Sequence, residues 1–221
     1  FNMIRAVIFD MDGVLIDSEI HWEKREGNFF KEYIPIWTKN DQKKIIGMTM
    51  HAIYKHLVKN YNLPISEENY KQRINKAAIQ IYEKETSLLP NVKETLNFLS
   101  QHNIPMAIAS SSKQEWINIT LKRFELTKFF NPILSVQSLN VESKPSPQVY
   151  IKAANQLKLK PQECIVIEDA YAGALAAKSA GCFTIGFRNG FNEGQDLSKA
   201  DIIAHNFIEI QKIIKKKLNL P

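Results

Sequence analysis

RAVIFDMDGVLIDS, residues Arg5 to Ser18, carries two acids out of the end of an apolar run. The run Ala6 to Phe9 is short and β-branched and stops at Asp10-Met11-Asp12-Gly13, so it reads as a buried strand with Asp10 and Asp12 at its carboxyl end. In open α/β sheets ligands bind at that end, where the loops diverge. Taken alone, Asp-x-Asp-Gly is also an ordinary turn, in which Asp supports backbone hydrogen bonds and Gly13 supplies a positive φ.

Beyond the acids the pattern changes. From about Ser18 to Thr86 apolar residues recur at helical spacing: Ile74, Ala77, Ala78, Ile81 and Tyr82 follow a Ser66-Glu67-Glu68 start. A second helix is expected from Thr49 to Asn60, after Gly47, and Pro35 and Pro64 divide the pieces. After Pro90 helices and strands alternate. Strands are expected at Pro105 to Ala109, Ile133 to Val136, Cys164 to Ile167 and Phe183 to Phe187, with a short one at Asp201 to Ala204. Helices between and after them are expected at Val92 to Gln101, Gln114 to Phe124, Pro147 to Leu157, Ala172 to Ala180 and Phe207 to Leu218. Such alternation means crossover units, hence an α/β fold: a Rossmann-like, doubly wound parallel sheet with helices on both faces. The first strand must join that sheet. The expected core is therefore 1–17 with 88–221, and 18–87 is an inserted all-helical domain.

The 221 residues suffice for one substantial core and a smaller appended domain, and 44% hydrophobic with 24% charged residues is ordinary for a globular chain. There is no run of about 18 apolar residues and no basic-then-apolar leader, so a cytoplasmic location and no membrane partner are expected. Cys164 and Cys182 have no metal-ligand spacing and read as reduced core thiols. The net charge of +6 raises nucleic acid as a partner, but Lys215-Lys216-Lys217 lies on the final helix and the other basic residues are mixed with acids. A solvated helix face accounts for them, and no nucleic-acid partner is expected. A basic balance also suits small anionic substrates. The chain is expected to act as a monomer.

Polar residues cluster just past the other strands as well. "AIASSSK" places Ser110 and Ser111, "ESKPSP" places Lys144 between stiffening prolines, and "IVIEDAYAG" places Glu168 and Asp169 before a helix. Each has a structural account alone: serines cap helices, lysines sit on surfaces, and acids favour helix starts. Their appearance in order, each after an apolar strand, calls for a chemical one. Three carboxylates at one point raise each other's pKa unless a cation joins them, and Mg²⁺ is the hard, oxygen-preferring ion that suits few carboxylates plus phosphate. A carboxylate beside it is a competent nucleophile toward phosphorus, giving an aspartyl phosphate. Ser110 and nearby N–H groups can hold the phosphoryl oxygens, Lys144 can offset charge, and the second acid can move the proton.

With "FDMDG", "ASSSK", "SKPSP" and "EDAYAG" in this order and spacing, the chain resembles the haloacid dehalogenase-like superfamily, in the subgroup with a helical cap after the first strand. The resemblance spans essentially the whole chain. It implies that Asp10 is the nucleophile and Asp12 the general acid/base, with Asp12 giving Mg²⁺ its backbone carbonyl. It implies phosphate binding by Ser110, Ser111 and Lys144, completion of the metal site by Asp169, and support of the metal shell by Glu168 through water. A dehalogenase proper lacks the second acid, so Asp12 argues for phosphoryl transfer.

Within the subgroup, a phosphatase of sugar or polyol monophosphates and a β-phosphoglucomutase share the core and differ in the cap. The mutase resemblance wants an arginine just after Gly47, where Met48, Thr49 and Met50 stand, and a histidine where Trp22 stands. His51 and Lys55 are nearby alternatives for gripping a second phosphate, while Met48, Met50 and Trp22 also read as cap core. A phosphonate-cleaving relative would use a cap lysine, for which Lys43 and Lys44 are candidates. The expected activity is a Mg²⁺-dependent phosphatase acting on a small phosphorylated metabolite. The alternatives are a mutase and, in a different class, a receiver-like switch phosphorylated on aspartate.

Overall fold

A computed structural model describes residues 3–45 and 48–220, apart from the side chains of residues 26, 39 and 43. The described residues form a six-stranded, wholly parallel sheet in the order β3-β2-β1-β4-β5-β6. The strands are β1 (Ala6–Phe9), β2 (Met106–Ser110), β3 (Ile133–Ser135), β4 (Cys164–Glu168), β5 (Phe183–Phe187) and β6 (Ile202–Ala204). Strand order reverses between β1 and β4, and at such a switch point the crossovers leave in opposite directions and open a crevice beyond the carboxyl ends. Asp10 and Asp12 follow β1 on one side of it; Glu168 ends β4 and Asp169 follows it on the other.

Strand β1 is buried on both faces, so its alternation sorts residues between two cores rather than between core and water. Val7 and Phe9 join one core with helices α5 (Val92–Gln101), α6 (Gln114–Arg123) and α10 (Phe207–Leu218), while Ala6 and Ile8 join the other with α8 (Gln148–Gln156) and α9 (Tyr171–Ala180). Cys164 in β4 and Cys182 just before β5 are both free and buried, as expected of core thiols.

Between β1 and α5 the chain is helical: α1 (Ser18–Tyr33), α2 (Lys39–Ile45), α3 (Met50–Tyr61), α4 (Glu67–Gln80) and a π-helical turn, Ile81–Glu85. Caps set two of these starts, because Thr49 and Ser66 side chains accept from Ala52 N and Asn69 N. The Gly47 turn expected before α3 lies outside the described residues. The chain leaves and re-enters the core at one place: Ile16 bridges Leu88, Asp17 N donates to Ser87 O (3.1 Å), and Ser87 N donates to Asp17 Oδ1 (2.6 Å). Among the described residues no helix is long and apolar enough to cross a membrane.

Candidate active site

Lys144 lies at the centre of the crevice, with a side chain only 2% exposed. An ammonium buried that deeply needs three acceptors. It donates to Asp10 Oδ1 (2.6 Å), Glu168 Oε1 (2.6 Å) and Ala109 O (3.0 Å). Burial pulls its pKa down, but Asp10 and Glu168 outweigh that and hold it above the usual lysine range. Glu168 is itself fully engaged: Tyr150 OH donates to Oε1 (2.6 Å), while the N–H groups of Asp169 (3.1 Å) and Ala170 (3.3 Å) reach Oε2. This packing needs Gly173, where a Cβ would stand 1.8 Å from Glu168 Oε1.

Asp169 is placed by a loop after β5. Asn189 Nδ2 donates to both Gly13 O (2.8 Å) and Asp169 Oδ2 (3.0 Å), and Asn192 Nδ2 donates to Asp169 O (2.7 Å). Gly13 meets both demands made of glycine: φ is +70°, and a Cβ would lie 2.1 Å from Asp169 Oδ2. The Asp-x-Asp-Gly sequence is thus a turn, and that turn sets Asp10 and Asp12 in the wall of the crevice.

Asp12 is held differently. Its Oδ1 accepts from Ser18 Oγ (2.6 Å) and Tyr82 OH (2.8 Å), and its Oδ2 from Ser112 Oγ (2.6 Å). Tyr82 in turn accepts from Trp22 Nε1 (3.1 Å). Burial, then the Asp12 charge, pushes the Tyr82 phenol well above its ordinary value, so it stays a donor. Two of the three donors to Asp12 therefore belong to the helical insertion.

These groups surround a cavity lined by Asp10, Asp12, Ser110, Ser111, Ser112, Lys144, Glu168 and Asp169 on the sheet side. Ser110 Oγ accepts from Ser112 N (3.0 Å), which directs its proton elsewhere. Ser111 Oγ is buried with no hydrogen-bond partner among the described residues, an arrangement that calls for a bound polar ligand. On the insertion side Trp22, Met48 and Met50 line the cavity, so they are cavity wall as well as core. His51 instead pairs with Glu67 (2.8 Å) with its side chain 52% exposed, Lys55 is exposed, and Lys44 pairs with Asp41. The side chain of Lys43 lies outside the described residues.

The site fits a hard divalent cation. Burial pushes Asp10 up to about 7 from an ordinary 3.8, with Lys144 opposing and Glu168 and Asp12 adding to the rise. Asp169 is raised well above its ordinary range, by burial first and then by Glu168, Glu19, Asp10 and Asp12. Carboxylates whose ionised forms are this disfavoured are ones that an added positive charge would relieve. Among the described residues no three acidic, histidine or cysteine side chains close on one point. Two carboxylates and a main-chain carbonyl make a donor set compatible with that.

Five participants were invisible to motif reading: Ser18, Tyr82, Tyr150, Asn189 and Asn192. A buried tyrosine resembles core, and Asn-rich loops resemble turns. The one available signal was the loop after β5, which ends at the same crevice as the other strand ends.

A model of the haloacid dehalogenase-like hydrolases matches residues 7–187, and the chain belongs to that family. It is 30% identical over 202 residues to a phosphorylated carbohydrates phosphatase of Thermotoga maritima, covering 91% of this chain and 93% of that one. It is 31% identical over 182 residues to hexitol phosphatase B of Escherichia coli K12, covering 81% of each. Among solved structures it resembles a β-phosphoglucomutase from Clostridium difficile, with a TM-score of 0.80, 26% identity and 98% of each chain covered. The chain is a phosphoric monoester hydrolase of this family.

Proposed function

We propose that the protein is a Mg²⁺-dependent phosphatase of sugar or polyol monophosphates that works through an aspartyl phosphate on Asp10. The observation that carries this reading is the cavity itself. It brings Asp10, Asp12, Ser110 and Lys144 to one point and leaves Ser111 Oγ buried without a partner. The names of the Thermotoga and Escherichia relatives support the substrate class. Residues 18–87 serve as the cap, and 1–17 with 88–221 as the catalytic core.

In the first half-reaction Asp10 Oδ2 attacks phosphorus while Lys144 holds Oδ1. The bond from phosphorus to the substrate oxygen breaks, and Asp12 delivers its proton to the departing alcohol. Ser110 and Ser111 hold the phosphoryl oxygens, and the Lys144 charge, bonded to Asp10, Glu168 and Ala109 O, offsets negative charge beside them. In the second half-reaction Asp12 takes a proton from water, whose oxygen displaces Asp10 and releases phosphate. Asp10, Asp169 and the Asp12 carbonyl would hold Mg²⁺, with Glu168 behind them. The ion supplies positive charge against the phosphoryl oxygens.

A mutase would pass the phosphoryl group to a sugar hydroxyl and would need a grip on a second phosphate. His51 and Lys55, the candidates for that grip in the sequence, are exposed. The test is product analysis with and without Mg²⁺ on sorbitol 6-phosphate and β-glucose 1-phosphate. Metal-dependent release of phosphate with little glucose 6-phosphate is expected; efficient isomerisation without release overturns the reading in favour of the mutase. Phosphate held on the protein for many minutes would favour a switch. Asp12→Ala should form phosphoenzyme slowly and hydrolyse it slower by ~10²–10⁴-fold, and normal turnover would remove Asp12 from its role.

The raised Asp10 pKa also gives a pH signature. Between about pH 4 and pH 7 the metal-free folded protein binds a proton at Asp10 that the unfolded chain does not, so this group lowers stability as pH rises through that window. Mg²⁺ favours the ionised site. The gain in Tm on adding Mg²⁺ should therefore be larger at about pH 8 than at about pH 5; equal gains would refute the carboxylate site.

A further inference from the structure

The three hydroxyl hydrogen bonds to Asp12 divide unequally between its oxygens. Oδ1 takes two, from Ser18 Oγ (2.6 Å) and Tyr82 OH (2.8 Å), which use both of its lone pairs. Oδ2 takes one, from Ser112 Oγ (2.6 Å). Among the described residues the open lone pair is therefore on Oδ2, and that is the oxygen able to carry a proton to and from the cavity.

The donors also differ in kind. A serine hydroxyl turns about its own C–O bond, so Ser18 and Ser112 can re-aim. Tyr82 is fixed. Its ring stacks on Trp116 with centroids 5.7 Å apart and 27° between planes, it meets Trp22 edge-on at 6.1 Å, and its oxygen accepts from Trp22 Nε1 (3.1 Å). Its backbone is fixed as well. A helical turn ends in carbonyls without intrahelical partners, and Arg123 of α6 supplies them here. Nη1 donates to Tyr82 O (3.1 Å) and Thr86 Oγ1 (2.9 Å), and Nη2 to Lys84 O (3.3 Å). Turns of π-helix are frequent at functional sites. This one aims the Tyr82 phenol at Asp12.

We propose that Tyr82 is a positioning residue for proton transfer: anchored by Arg123, it holds Asp12 Oδ1 so that Oδ2 meets the oxygen of the departing alcohol. This rests on the phosphatase reading above and adds what orients its acid. In the first half-reaction the proton leaves Asp12 Oδ2 for the alcohol oxygen as the bond from phosphorus to that oxygen breaks. In the second, Oδ2 takes a proton from the attacking water. Tyr82 keeps its own proton in both. Its hydroxyl therefore matters in proportion to the leaving group's need of a proton.

The test measures phosphoenzyme formation by rapid acid quench, using the Mg²⁺-loaded full chain and its Tyr82→Phe variant, which keeps the ring and removes one oxygen. Sorbitol 6-phosphate has an alcohol that must be protonated to leave; p-nitrophenyl phosphate has a phenolate that leaves without a proton. In the variant, formation from sorbitol 6-phosphate should slow by ~10²-fold, as for a misplaced reacting group, and formation from p-nitrophenyl phosphate by less than ~3-fold. Equal slowing of both esters, or of neither, overturns the proposal, because a packing or metal-directed role does not distinguish leaving groups. If Tyr82→Phe does not fold, Arg123→Met is read by the same criterion. Arg123 is not part of the cavity wall, so it can slow one ester and spare the other only through Tyr82. A wild type that forms no phosphoenzyme from either ester fails the phosphatase reading itself, and the proposal with it; phosphoenzyme from both without the selective loss fails Tyr82 alone.

Discussion

Asp10→Asn should abolish turnover, with phosphate release falling by at least ~10⁴-fold and no phosphoenzyme trapped on acid quench. The substitution changes one oxygen to nitrogen and keeps the shape of the side chain. It also removes a charge that Glu168 and Asp12 repel and that burial disfavours. Because the substitution takes from Lys144 one of its two carboxylate partners, the Tm of the variant is measured beside its activity, so that lost turnover is separated from lost folding. Activity within ~10-fold of wild type would remove Asp10 as nucleophile. A phosphoryl group found by mass on another residue would do the same.

Lys144→Met should damage stability and activity together. It leaves Asp10 and Glu168 without the ammonium that each approaches at 2.6 Å. Breaking a buried pair from one side costs ~3–5 kcal/mol, because the surviving charge cannot be resolvated. For a chain of this size that is a fall in Tm on the order of 10 °C. The loss should be smaller at about pH 5 than at about pH 8, since Asp10, which burial pushes up to about 7, is then protonated. Phosphate release should fall by ~10³-fold, as expected for removal of a charge aimed at the reacting oxygens. A variant that melts with the wild type at both pH values would show that Lys144 is not the counter-charge of this site.

What could be read before the structure was the part governed by local rules. An apolar run that ends in acids, serines or a lysine marks a strand end, and alternation with helices makes the sheet parallel; those two facts bring Asp10, Ser110, Lys144 and Asp169 to one edge. The helix bounds Val92–Gln101 and Phe207–Leu218 agree with their expectation because amphipathic periodicity fixes both ends. Individual bounds for α1 and α2 did not emerge, since their charged residues blur the periodicity. The partners of Asp12 escaped for a different reason. Tyr82 stands 70 residues along the chain from Asp12, and its side chain is set by a π-helical turn that no short-range propensity encodes. Asn189 and Asn192 act through amides whose use is evident only once β5 is beside β4. Trp22, Met48 and Met50 are apolar whether they fill a core or wall a chamber.

The hydrogen bonds to Asp12 have a thermodynamic consequence. Ser18 and Tyr82 come from the insertion and Ser112 from the sheet, so one carboxylate is clamped from both sides of the chain's double crossing. Any movement that carries α1 and the π-turn away from the sheet must release this acid, and any ligand that orients the acid must draw the two bodies together. Reciprocity then holds: the free energy by which closure favours the working rotamer of Asp12 equals the free energy by which that rotamer favours closure. With Asp12 as the general acid/base and 18–87 as the cap, as proposed above, proton transfer and enclosure of the substrate would be two readouts of a single equilibrium.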